Sequence, residues 1–237
     1  MLKKFITAII KLAASLIMLA GAFTLALAII ILFRSSSEIT NSSSLMLFAA
    51  GFGAGLVIFT TLFHFTGLYI LGHELTHLLA AKLFRRRTGK FTIRGNSGSV
   101  AVERPNIWIS LAPYFVPIYT LIWIGIYGLW QLVWPNSPQT VWLVFNTGIG
   151  VTYSYHICLT VKALKREQTD LQRYGRIFSM SLILLANVTV LFGGTTIAFS
   201  AWQQSAYALT QSVQQEYSAG REIVMRAASA IKEWKKR

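Results

Sequence analysis

The chain has 237 residues, of which 54% are hydrophobic and only 13% charged. A water-soluble domain of this length needs more charge on its surface, so the long apolar runs identify an all-α polytopic membrane protein with little room for a further large domain. The formal charge of +14 belongs to lysines and arginines that flank the apolar runs and meet anionic lipid heads, which argues against a nucleic-acid partner.

Behind Lys3 and Lys4, an apolar run from Phe5 to Phe33 is long enough to cross a bilayer with tilt. Ala26-Leu27-Ala28 resembles a signal-peptide cleavage site. The run continues past it without a polar break, which predicts a retained signal-anchor helix. A short serine-rich loop, Arg34 to Ser44, leads to a second apolar stretch from Leu45 to Phe84. As one rod this stretch measures on the order of 60 Å, twice a hydrocarbon core of roughly 30 Å. A bend near Gly67, or projection beyond the lipid, is therefore expected. Glycines and alanines between Ala49 and Gly55 suit close helix packing. Alternating residues on both sides of Gly95-Asn96-Ser97-Gly98 predict a β-hairpin within Gly89–Asn106. Two readings stay open for it: a free edge that pairs with an extended substrate strand, or an ordinary connecting hairpin.

A third span is expected over Ile107–Val133, with Pro113 and Pro117 making its start irregular. The fourth falls at Thr140–Leu164, where the single Cys158 reads as a packing residue, and the fifth at Ile177–Ala201. A basic tail, Trp202 to Arg237, places Ile223, Ala227, Ala230 and Trp234 at helical spacing, as in an interfacial amphipathic helix. The organisation is thus a transmembrane core, 1–201, with a C-terminal helix, 202–237. Positive charge is concentrated at the N-terminus, between spans two and three, and between spans four and five. This places those segments in the cytoplasm of a plasma membrane, as in a bacterial inner membrane. Five crossings, however, leave the basic tail outside. One re-entrant segment in place of a span removes that conflict.

Three ionisable groups interrupt the second apolar stretch, in His73-Glu74-Leu75-Thr76-His77. Such groups are costly in lipid and mark functional sites. Residues four apart share a helix face, so the two imidazoles can bind one zinc ion while Glu74 remains available as a base. A catalytic zinc needs a third protein ligand besides water. Candidates are Asp170, Glu103, Glu167 and His156. Asp170 is favoured because it lies between spans four and five, on the same side as the histidines, among Lys165, Arg166, Arg173 and Arg176. The other reading of Asp170 is a solvated loop charge, and a lone histidine such as His156 is most often a satisfied core residue.

The string Gly72-His73-Glu74-Leu75-Thr76-His77-Leu78-Leu79-Ala80-Ala81 resembles the first signature of the site-2 protease family of intramembrane metallopeptidases. The resemblance implies a third ligand from an aspartate on a later segment, for which Asp170 lies at a compatible distance. In that family the aspartate is commonly followed by glycine and preceded by an asparagine-proline pair. Here Leu171 follows Asp170, Gly175 comes five residues later, and no proline lies in Thr140–Leu164. Asn146 is the one residue of the fourth span that matches the family's substrate-gripping asparagine. The resemblance further implies zinc, a membrane-protein or peptide substrate, and peptide hydrolysis in or near a transmembrane segment. Two other readings remain. A CAAX prenyl-protease type would take a glutamate as third ligand, and a non-catalytic metal-binding scaffold would not need Glu74.

Overall fold

The computed structural model describes residues 1–62, 66–95, 97–165 and 169–234 and is predominantly helical. Contacts divide the chain into two units, Met1–Thr40 with Leu184–Arg237, and Asn41–Ile183.

In the first unit, α1 (Leu2–Ser35), a short α2 (Ser37–Thr40), the larger part of α9 (Arg176–Ala198) and α10 (Trp202–Trp234) come together. A tight turn joins α9 to α10, and the hydroxyls of Thr196 and Ser205 meet across it at 2.8 Å. Thr24 of α1 donates to the Glu216 carboxylate of α10 at 2.7 Å. Ala28 and Leu32 on α1 are buried, as are Ala201 just before α10 and Ser205, Ala208 and Ser212 on it. Residues 1–10 and 217–232 are exposed. With Thr24 opposite Glu216, only an antiparallel pairing brings the buried stretches face to face and lets the exposed ends diverge together. Small residues at this contact allow the backbones to approach closely.

The second unit carries the histidine-glutamate-histidine group. Within the stretch Leu45–Phe84, an α-helix, α3 (Ser43–Val57), passes into a π turn, Ile58–Leu62, and helix α4 covers Thr66–Leu83; residues 63–65, next to the bend expected near Gly67, lie outside the described residues. Thr60 and Thr61 bond back to the Leu56 and Val57 carbonyls at 2.6 and 2.5 Å, a competition that loosens the helical ladder. After α4, β1 (Thr88–Arg94) pairs antiparallel with β2 (Ser97–Val102), with Ile93 opposite Gly98 and a bulge between Thr88 and Phe91. Asn96, in the expected turn, lies outside the described residues.

The two prolines have the anticipated effect. Helix α5 (Ile107–Leu111) runs into a 3-10 turn, Ala112–Tyr114, and α6 (Ile118–Val133) leaves at 77° to them. Helix α7 (Gln139–Lys165) lies against both α6 and α3. A Cβ at Gly51 would overlap the Thr147 carbonyl, and one at Gly55 would overlap the Ser154 hydroxyl. Both numbers rise together, so α3 and α7 run parallel at near-backbone contact, as the glycines of Ala49–Gly55 lead one to expect. A short α8 (Thr169–Tyr174) ends at Gly175, whose φ of 97° suits glycine.

Among the described residues three helices are long and apolar enough to cross a membrane: α1, α3 with its π turn (Ser43–Thr61), and α9. A fourth crossing results if the bent pair Ile107–Tyr114 and Ile118–Val133 is one span. Helix α7 is not in this set. It carries Ser154, His156 and Thr160, all buried against neighbours, which dilute its apolar character.

Candidate metal centre

Helix α4 sets the geometry of the histidines. Four positions apart, they occupy one face, and the ring centroids of His73 and His77 lie 4.8 Å apart. Their Nε2 atoms face the same oxygen, Asp170 Oδ2, at 3.7 and 3.5 Å. These separations exceed an ordinary hydrogen bond. They approach the edge of about 3.3 Å between ligand atoms placed tetrahedrally around zinc at bonds of about 2.0–2.1 Å. The ligand atoms of all three residues lie within 4.8 Å of one another, so the group can hold a metal ion.

The tautomer of His77 is set by its other nitrogen. Nδ1 lies 2.8 Å from the Ile109 carbonyl oxygen, so the proton on Nδ1 is donated there and Nε2 is left with its lone pair toward Asp170. That carbonyl is available for a reason visible in the chain. In an α-helix it would accept from the residue four positions on, which is Pro113 and has no N–H. The Asn106 side chain accepts from Ile109 N at 2.9 Å and caps α5, fixing where the carbonyl points.

Asp170 arrives from α8. Leu171 beside it is buried and its carbonyl accepts from Ser179 Oγ at 3.2 Å, while Tyr174 donates to the Pro105 carbonyl at 3.2 Å. Burial works to raise the Asp170 carboxyl. Where the facing imidazoles carry a proton on Nε2, their hydrogen bonds and charge outweigh burial and hold it well below the usual carboxylate range. Tyr114, at the 3-10 turn, directs its hydroxyl at the same oxygen, 3.4 Å away, and sets its ring edge against His73 with centroids 5.5 Å apart.

Glu74 follows His73 on the adjacent flank of α4, where β2 covers it. A Cβ at Gly98 would come within 2.5 Å of Ile70 Cγ2 and 2.8 Å of Glu74 Cγ. Only glycine lets the strand lie this close to the carboxylate. Gly98→Val is expected to lift β2 from α4, to lower stability by about 1–3 kcal/mol, and to displace Glu74; thermal unfolding of the purified protein measures it, and an unchanged Tm would count against the contact. On the opposite flank a narrow cleft reaches His73 between Tyr69, Tyr114, Tyr119, His156 and Thr160.

The remaining candidates fall elsewhere. His156 is buried and lines the cleft beside His73 but is not one of the converging ligands. Asn146 bonds its own helix through Trp142 O at 2.9 Å, roughly 15 Å along α7 from His156. Glu103 follows β2, its N–H on Arg87 O at 3.0 Å, and does not join the group. Glu167 and Arg166 lie outside the described residues. The roles of Ile109, Gly98 and Tyr114 are not anticipated by the residue pattern; the one signal in the chain is the proline four residues after Ile109. No protein-family model, curated protein or solved structure matches this chain, so the reading of the site rests on its own geometry.

Proposed function

We propose that the chain is a membrane-embedded zinc metallopeptidase of the site-2 protease kind, hydrolysing peptide bonds in or near transmembrane segments of other proteins. The observation that carries this reading is the arrival of Asp170, from a distant helix, opposite two histidines one turn apart. His73, His77 and Asp170 would hold the zinc ion, which when bound would supply Lewis acidity to activate water near neutral pH. His77, oriented through Ile109, and Asp170, kept ionised, present lone pairs inward. Glu74 accepts the proton of the attacking water and returns it to the leaving amine. A substrate helix must unwind before attack, because its carbonyls are otherwise bonded, and β1 and β2 beside Glu74 offer an edge for the freed strand.

The chain crosses the membrane five times before α10. Helix α7 runs parallel to α3 at backbone contact, so it crosses wherever α3 does; its buried hydroxyls and His156 explain its lower apolarity. The arginines after α4, Arg85 to Arg87, with Arg173 and Arg176 at α8, favour a site at the cytoplasmic margin of the membrane, a bacterial inner membrane in this reading. The test is incubation of detergent-solubilised, zinc-loaded protein with single-span substrates that contain glycine or proline in the span. Cuts within or beside the span support the reading. Zinc-loaded protein that leaves the whole panel intact counts against it.

Acid is expected to strip the metal. Histidine ligands must be neutral, so protons compete as pH falls through the imidazole range near 6.5. Asp170, held low, is not the limiting group. Zinc Kd, measured by chelator competition, should rise by about 100-fold between about pH 8 and about pH 5.5, roughly tenfold for each imidazole that must lose a proton; a Kd independent of pH over this range would exclude imidazole ligands.

A further inference from the structure

The residues on either side of Asp170 do little to aim its carboxylate. Leu171 is packed inward and Thr169 opens a two-turn helix, so the side chain must be aimed from outside α8. The group placed to do so is the Tyr114 hydroxyl, 3.4 Å from the oxygen that both histidines face. Tyr114 is 1% exposed and is fixed at three points. Its ring stands edge-on to His73, its carbonyl accepts from Thr160 Oγ1 at 3.3 Å, and its backbone lies in the turn between Pro113 and Pro117. One rigid side chain therefore touches two of the three converging residues.

We propose that Tyr114 is the positioning residue for Asp170 as a metal ligand, its hydroxyl bonding the carboxylate and limiting its rotation. The inference rests on the metal-site reading above. Outer partners of this kind typically change metal affinity by about 10–100-fold when removed.

The experiment measures zinc Kd by chelator competition on the full-length protein in detergent. Tyr114→Phe keeps the ring and removes the hydroxyl; zinc should bind about 10–100-fold more weakly, and excess zinc should restore cleavage. Tyr119→Phe is the control. It lines the same cleft but donates to the Leu68 carbonyl, and its zinc Kd should match the wild type. Thr160→Val, which frees the Tyr114 backbone without touching its ring, should weaken zinc several-fold and reads the same contact if Tyr114→Phe does not fold. Unchanged zinc Kd in the Tyr114 and Thr160 variants overturns the proposal. Lost cleavage with unchanged zinc Kd also overturns it, and assigns the hydroxyl to the reacting atoms instead. A wild-type protein without measurable zinc affinity overturns this inference and the metallopeptidase reading together, whereas zinc-loaded wild type that cuts nothing overturns the latter alone.

Discussion

Glu74→Gln is expected to leave bound zinc at wild-type level and to lower peptide cleavage by about 10²–10⁴-fold, the usual weight of a positioned acid-base group. The substitution keeps the side-chain shape that β2 packs against through Gly98, so the fold is not the variable. It removes the one property the proposed reaction uses, the ability to take a proton from water. Glu74 is not among the converging ligands, so metal affinity has no reason to change. Zinc content by elemental analysis, with single-turnover cleavage on the same preparation, separates the two effects. Undiminished cleavage by Glu74→Gln would remove the base from the mechanism and with it the peptidase reading.

The second large effect concerns the ligands. His73→Ala, His77→Ala and Asp170→Ala are each expected to lose zinc on dialysis, with affinity falling by more than the roughly 100-fold typical of outer-shell changes. Asp170→Ala is the decisive variant, because the two histidines alone are compatible with more than one kind of membrane peptidase. Zinc lost from only the histidine variants would exclude Asp170 and turn attention to a glutamate, Glu103 or Glu167, as in the CAAX prenyl-protease type. Loss from all three, with Glu103→Ala unaffected, supports the His-His-Asp centre.

How much of this could be read from residues alone depends on the range of the interaction. The pairing of His73 with His77 is local, fixed by helical period, and needs no tertiary information. The break at Pro113 and Pro117 is equally local, because a missing N–H acts where it stands. Asp170 was a choice among several acids until folding brought α8 to α4, and nothing in its flanking residues names the neighbour that would meet it. Gly98 illustrates the remainder. As a turn-cluster glycine it reads as a hairpin residue, yet its consequence is steric and lies across the interface with Glu74. Helix α7, expected as the fourth span, is not among the described helices apolar enough by themselves to cross a membrane. Ser154, His156 and Thr160 lower its apolarity, and only their burial shows that lipid need not meet them.

Pro113 has a use beyond the bend it makes. By withholding a hydrogen it leaves the Ile109 oxygen unclaimed, and His77 takes it. The antiparallel return of α10 has a wider consequence. Lys3 and Lys4 begin α1, and Arg221, Arg226 and Lys232 end α10. Because the two helices run in opposite directions, the start of α1 and the end of α10 lie toward the same end of this unit. That end of the unit therefore gathers cationic side chains from both helices, a charge pattern suited to anionic lipid heads.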